Sequence, residues 1–216
     1  NSSRDFLRTS CTVSGTGYLF AQSLLDELGG WEYFLLTEDF EFTANAIAHG
    51  EKIAYCHDAV FYDEQPRNFK QSIVQRSRWV KGYLQVFGKR GGDLVKAMLV
   101  DGSFSSYDVL MFTFPAAIIT VLTIMVNAAM FVVGITSAPQ EMGVFFGSVI
   151  LSMVGSYFVM LLMGLMPLVT EWKRIYCSRA KKIGYLFTFP LFVATFSLAM
   201  VVAVFGNTEW KPIKHS

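Results

Sequence analysis

Two textures divide the chain. From Val109 onward it runs apolar for long stretches: Val109 to Pro139 and Met142 to Thr170 hold no charged residue, and Ile183 to Asn207 is similar. Each run meets the roughly 20 apolar residues needed to cross a bilayer, so the pattern predicts three transmembrane helices, at about 109–136, 143–170 and 183–206. Pro115, Pro167 and Pro190 are expected to kink or end these spans. Gly143 and Gly147 form one GxxxG, a weak packing signal. Asn127, polar and near the middle of the first span, reads as an interhelical hydrogen bond or as the lining of a polar path.

Residues 1–107 instead alternate short apolar clusters with turn residues. Cys11-Thr12-Val13 reads as a strand, Ser14-Gly15-Thr16-Gly17 as a turn, and Tyr18-Leu19-Phe20 as a second strand. Ser23 to Leu28 reads as a helix closed by Gly29-Gly30. Thr37 is placed to cap a helix from Glu38 to His49, with Gly50 just past its end and three acids in its first turn. Strands follow at Lys52–Cys56 and Val60–Tyr62, and Pro66 breaks the chain. Asn68 caps a helix from Phe69 to about Phe87, and a second amphipathic stretch covers Asp93 to Val100. Strand–helix alternation predicts an α/β fold. The expected organisation is therefore an α/β domain over 1–66, interface helices over 67–107, and a membrane region over 108–216.

Composition sharpens this picture. The chain has 216 residues, 53% hydrophobic and 16% charged, which excludes intrinsic disorder. Residues 1–107 carry 11 Lys/Arg against 13 Asp/Glu, and residues 108–216 carry 7 against 4. A net charge of +1 excludes a nucleic-acid binder that works through bulk charge. Cys11, Cys56 and Cys177 have no zinc spacing and read as reduced thiols. The loop Glu171 to Lys182 holds five basic residues and one acid, whereas the link near Ala138 to Glu141 has no basic residue. The positive-inside rule places that basic loop, and with it residues 1–107, in the cytoplasm. Lys211 and Lys214, in the tail on the other side, fit this less well. Trp172, Tyr176 and Tyr185 read as interfacial anchors. The expected location is the cell membrane, crossed several times, with the lipid bilayer as a partner.

The helix after Asn68 is basic: Arg67, Lys70, Arg76, Arg78, Lys81, Lys89 and Arg90 have no acid between them. Such a helix ahead of a span suits a membrane surface. It also carries Gln75-Arg76-Ser77-Arg78-Trp79. Positions i, i+3 and i+4 share a helix face, so Gln75, Arg78 and Trp79 project together. A guanidinium grips phosphate and an indole offers a flat shelf for a sugar ring; an interfacial Trp beside a lipid-phosphate Arg is the alternative. Thr37-Glu38-Asp39 is either an ordinary acidic helix start or a carboxylate pair with Asp39 as general base. Ser14 to Gly17 is either a plain turn or a loop near a substrate.

In this order, Thr37-Glu38-Asp39, then Gln75-x-x-Arg78-Trp79 on a basic helix, then several spans resemble the membrane-embedded processive β-glycosyltransferases. These are the cellulose, chitin, hyaluronan and poly-N-acetylglucosamine synthases of glycosyltransferase family 2. The likeness covers about Val13 to Phe87, including Gly29-Gly30-Trp31 and Trp79-Val80-Lys81-Gly82. It implies the C-terminal part of a cytoplasmic GT-A, Rossmann-like domain and inverting transfer from a nucleotide sugar, usually UDP-linked, to a glycan or lipid-linked acceptor. Carried over by position, Asp39 would be the catalytic base with Glu38 beside it. Gln75 and Arg78 would contact the donor diphosphate, Trp79 would stack on the acceptor, and Thr37, Gly15, Thr16 and Gly17 would line the substrate side. The family's Mg2+ or Mn2+ is held by a DxD motif, and no DxD occurs here. The resemblance thus implies a C-terminal portion, inactive alone, with its metal ligands elsewhere. The alternatives are a non-processive transferase or a non-catalytic membrane piece.

Overall fold

The computed structural model describes residues 1–206 apart from Thr16, Arg67, Phe114 and Ala138, and of residues 113, 115–121 and 124 the backbone alone. Asn207, Lys211 and Lys214 thus lie outside the described residues. The elements are α1 (Ser2–Phe6), α2 (Gln22–Glu27), α3 (Glu38–Ala48), α4 (Phe69–Val100), α5 (Phe104–Thr113), α6 (Pro115–Ser137), a 3-10 turn (Pro139–Glu141), α7 (Met142–Thr170), α8 (Arg179–Ala194) and α9 (Phe196–Phe205). The chain divides into two compact units. One joins Asn1–Ile119 to the segment from Ala199 onward; the other is Thr120–Leu198.

The expected α/β class is wrong for this chain: among the described residues there is no strand and no sheet. Cys11–Val13, Tyr18–Phe20, Lys52–Cys56 and Val60–Tyr62 carry no ladder. The reason is where their backbone groups go. Cys11 N–H donates to the Ile53 carbonyl at 2.8 Å, which begins a pairing. The Ile53 N–H, however, donates to Ser10 Oγ at 3.0 Å, and the Val13 N–H to Thr43 Oγ1 at 3.0 Å. Side-chain hydroxyls take up donors that a ladder would need.

α3 is the centre of the first unit. Phe40 to Ile47 are all buried, so each polar side chain in that run requires a partner. Phe40, Ala44 and Ile47 pack with Val86 and Leu94 of α4 and Val109 and Leu110 of α5. Each of the larger apolar side chains contributes about 1.5–3 kcal/mol through burial. Phe42 packs on the other side with Val13, Tyr33 and Trp31. Asn45 Nδ2 donates to the Tyr33 hydroxyl at 2.8 Å. Thr37 precedes α3 as expected, but its hydroxyl makes no capping bond; the side chain turns inward instead.

Asn68 does cap α4, its Oδ1 accepting from Gln71 N–H at 2.8 Å. The helix then continues to Val100, through the gap expected between Phe87 and Asp93. Helical glycines cost about 1 kcal/mol each, and burial of Leu94 and Ala97 beyond Gly88, Gly91 and Gly92 offsets this.

Against the three expected spans, two helical stretches among the described residues are long and apolar enough to cross a membrane, Pro139–Thr170 and Arg179–Phe205. In the first apolar run α5 extends to Thr113 and α6 runs from Pro115 to Ser137, with Phe114 between them outside the described residues. Among the described residues there, only Met125–Ser137 qualifies, as a shorter apolar helix. In the second unit α7 and α8 meet where Gly164 leaves room for Phe189, whose ring would lie 2.7 Å from an added Cβ. Tyr157 Oη donates to the Phe187 carbonyl at 2.9 Å. Gly143 and Gly147, the GxxxG pair, have nothing within 4 Å of an added Cβ. Asn127 donates to the Thr123 carbonyl of its own helix, not to another. Lys182 lies over the Trp172 ring, 4.5 Å from its centroid.

Candidate functional site

Asp39 opens α3 and is half-buried. Its Oδ1 accepts the Phe40 N–H at 2.8 Å, and the Gly15 N–H also bonds to the carboxylate. A Cβ on Gly15 would stand 3.7 Å from Asp39 Oδ2. Thr43, one turn further on, locks this approach: its Oγ1 donates to the Asp39 carbonyl at 2.9 Å while accepting the Val13 N–H. Gly15, within the Ser14 to Gly17 segment, thus lies against the Asp39 carboxylate. Thr16 is outside the described residues. Gly17 has φ +74°, with the Phe61 ring 3.0 Å from where a Cβ would be, a place closed to other residues.

Burial raises the Asp39 pKa above its ordinary value; the Phe40 N–H pulls the other way, Glu38 adds to the rise, and the Gly15 N–H again opposes it. Glu38 itself is exposed. Tyr83 of α4 packs edge-on to Phe40 at 4.8 Å between centroids. Burial, with the Asp39 charge nearby, pushes its phenol up to about 12, so it remains a proton donor at neutral pH.

Gln75, Arg78 and Trp79 lie on α4, all half-buried. Arg78 Nε is enclosed with no partner among the described residues. Arg76, between them, is 2% exposed, and its Nε donates to the Ser72 carbonyl at 3.1 Å; it does not face a lipid surface. Lys81 reaches the Gly206 carbonyl at 3.2 Å. No hydrogen bond or ion pair among the described residues joins Gln75, Arg78 or Trp79 to Asp39.

The join is made by packing. A Cβ on Gly82 would lie 2.5 Å from both Thr37 Oγ1 and Thr37 Cγ2. Gly82 follows Arg78 and Trp79 by one helical turn, about 5.4 Å along the axis. Thr37, two residues before Asp39, thus sits on α4 one turn from the Arg–Trp pair.

The residues that sequence reasoning passes over are those that hold this join. Glu41, visible in the sequence only as a charge in the first turn, is fully buried. Its Oε1 pairs with Lys89 Nζ, Arg90 stands 4.0 Å from the same oxygen, and Oε2 accepts the Leu35 N–H at 3.2 Å. Thr43 and Tyr83 read as ordinary helix residues. The one available signal is the basic excess between Arg67 and Arg90, with no acid in that stretch to neutralise it. As for metals, no group of three His, Cys, Asp or Glu side chains among the described residues is placed to hold one. The Asp39 carboxylate is already occupied by backbone donors.

A partly desolvated carboxylate over a glycine loop, beside an amide–guanidinium–indole row, is equipped to take a proton from a hydroxyl and to hold a phosphorylated sugar. Residues 2–210 match the family model described as glycosyl transferase family group 2, and the chain belongs to that family. It is 32% identical over 71 residues to the probable glycosyltransferase YdaM of Bacillus subtilis, 33% of this chain and 17% of that protein. It is 33% identical over 76 residues to the probable glucomannan 4-beta-mannosyltransferase 3 of Arabidopsis thaliana, 35% of this chain and 14% of that protein. It is 28% identical over 78 residues to the catalytic component of a UDP-forming cellulose synthase of Dictyostelium discoideum, 36% of this chain and 7% of that protein. The matched segments thus span less than a fifth of each of these relatives. No solved structure matches the chain.

Proposed function

We propose that this chain carries the acceptor and diphosphate side of an inverting, membrane-associated transferase that moves a sugar from a UDP-linked donor onto a growing polysaccharide. The observation that carries the reading is Thr37 seated on Gly82, which brings the carboxylate-bearing turn of α3 within one turn of Arg78 and Trp79. In this reading Asp39 takes the proton of the acceptor hydroxyl as its oxygen bonds to the anomeric carbon. The carbon–oxygen bond to the diphosphate breaks on the opposite side, and Arg78 and Gln75 hold the departing UDP. Trp79 stacks on the acceptor, and Gly15 and Phe40 fix the carboxylate through their N–H groups. Glu38 tunes Asp39 rather than touching the reacting atoms.

The relatives' printed names, a mannosyltransferase acting on glucomannan and a cellulose synthase, favour a polysaccharide product. Localisation to a bilayer is supported by Pro139–Thr170, of whose most apolar stretch only 6% is buried, too little for the core helix of a water-soluble fold. The basic loop Glu171 to Lys182 favours a cytoplasmic side for that loop. The family's Mg2+ or Mn2+ finds no ligand set among the described residues, and no step here is routed through it.

The test is UDP release by the intact protein that contains this chain, in lipid vesicles, over a panel of UDP-sugars, with Asp39→Asn alongside. The expected result is release with one donor, reduced about 10²–10⁴-fold in the variant. Near-normal turnover in Asp39→Asn removes Asp39 as base, and no release with any donor overturns the UDP-sugar assignment.

A further inference from the structure

The contact between α3 and α4 contains a feature that sugar transfer does not itself require. Thr37 and Glu41 are four residues apart, so they share one face of the first turn of α3. Their partners on α4, Gly82 and Lys89, are seven apart and share a face there too. Side chains two positions apart on a helix point about 200° from each other. Asp39 is two positions from Glu41, so with Glu41 turned into α4, Asp39 is turned to the other side, towards Gly15. The bonds agree with this arithmetic: Glu41 meets Lys89, and the Asp39 carboxylate meets the Gly15 N–H.

We propose that Glu41 is a positioning residue: its buried carboxylate, paired with the partly exposed Lys89 and Arg90, sets the rotation and register of α3, and so aims Asp39. Such a pair is a poor source of net stability, because desolvating the carboxylate offsets much of its attraction to the cations. What it supplies is selectivity among arrangements. Any rotation of α3 that takes Glu41 from Lys89 leaves a fully buried carboxylate unpaired. An apolar side chain in its place would tolerate such a rotation. Glu41 Oε2 also holds the Leu35 N–H, which fixes the loop leading into Thr37. One carboxylate therefore ties together the approach, the helix turn and α4.

The inference rests on the reading of Asp39 as base, and the test separates the two. Turnover per folded molecule, donor KM and melting temperature are compared in the protein and in Glu41→Gln, Lys89→Gln, Lys89→Arg and Asp39→Asn. Glu41→Gln keeps the size of the side chain and its acceptor for Leu35, but loses the charge. Misplacement by about 1 Å costs on the order of 10²-fold in rate, so a smaller tilt is expected to lower kcat roughly tenfold with donor KM unchanged. Lys89, half-exposed at its side chain, tolerates substitution. Lys89→Gln keeps the measurement open if Glu41→Gln does not fold. The expected outcome is a fall in kcat in Lys89→Gln, restored in Lys89→Arg. A lowered melting temperature with turnover per folded molecule within twofold of the parent overturns the proposal, leaving Glu41 a structural residue. Full turnover in Asp39→Asn overturns the base assignment, and the positioning role with it.

Discussion

α3 and α7 bury their surfaces in opposite proportion to their polarity. α3 has 11 residues, of which Phe40 to Ile47 are all buried, Glu41, Thr43 and Asn45 among them. α7 has 29 residues, almost wholly apolar, of which Gly164 alone is buried. A helix in the interior of a folded unit can hold polar side chains only when each has a partner, and those of α3 bind three different neighbours: Lys89, Val13 and Tyr33. Such bonds fix rotation as well as position. α7 has few contacts of that kind within its unit, and exposed Leu, Met, Phe and Val along most of its length. In water that surface would drive association; in lipid it is the ordinary exterior of a span. Polarity thus specifies one helix, and its absence leaves the other with a surface suited to lipid.

Charging the exposed face of α7 breaks this comparison with the largest effect. Met153 lies near the middle of the helix and is 68% exposed. If that face met water, Met153→Arg would be neutral or would improve solubility. In the bilayer centre it is expected to cost about 2.5–3.5 kcal/mol of insertion free energy. The measurement is the share of protein left in membranes after alkaline carbonate extraction. Equal retention of variant and parent would remove α7 as a span.

Glycine substitutions sharpen the contrast at smaller scale. Gly82→Ala places a methyl 2.5 Å from Thr37 Oγ1 and Cγ2. Overpacking costs about 1–3 kcal/mol, against about 1 kcal/mol gained from helix propensity. Stability in detergent should fall modestly, and turnover more, because the turn bearing Asp39 is displaced. Thr37→Gly in the same chain removes the obstructing atoms and should recover part of the loss. Gly143→Ala on α7, with nothing within 4 Å, should change neither. Equal responses at Gly82 and Gly143 would mean that the α3–α4 contact holds nothing in place.

What can be read from the chain follows the same division. Local signals are legible: Asn68 as a cap, the turn glycines, the acidic start of α3 and the apolar runs all depend on near neighbours. Strands are over-read, because alternation in Cys11–Val13 or Lys52–Cys56 states which side faces a core, not whether a partner offers a ladder. Ser10 and Thr43 supply hydroxyls in place of that ladder. The first of the three expected spans is over-read: among the described residues of that run only Met125–Ser137 qualifies, as a shorter apolar helix. The Glu41–Lys89 pair is hidden for a different reason: its members lie 48 positions apart, and a surface lysine and a paired one are spelled alike. Motif spacing singles out Thr37-Glu38-Asp39 and Gln75-Arg76-Ser77-Arg78-Trp79. What spacing does not reveal is that Gly82 is where the two meet.

The smallest expected effect tests the electrostatics at Asp39. Burial holds its pKa above the ordinary carboxylate value, with Glu38 adding to the rise. Only the ionised form accepts a proton, so turnover should climb with pH through that raised pKa. Glu38→Gln removes one raising influence and should move the acid limb of the pH–rate profile to lower pH, leaving the plateau near that of the parent. Stability gives an independent reading of the same group. Because the folded state binds the Asp39 proton more tightly than the unfolded chain, its contribution is present at pH below the unfolded value and lost as pH rises through the folded one. Thermal melts in detergent should therefore show Asp39→Asn gaining on the parent as pH rises across that window. A limb that stays in place in Glu38→Gln, with no such gain in Asp39→Asn, would mean that the carboxylate is solvated like any surface acid. The contrast between a dry, specified α3 and its surroundings would then fail at the one residue where it matters for chemistry.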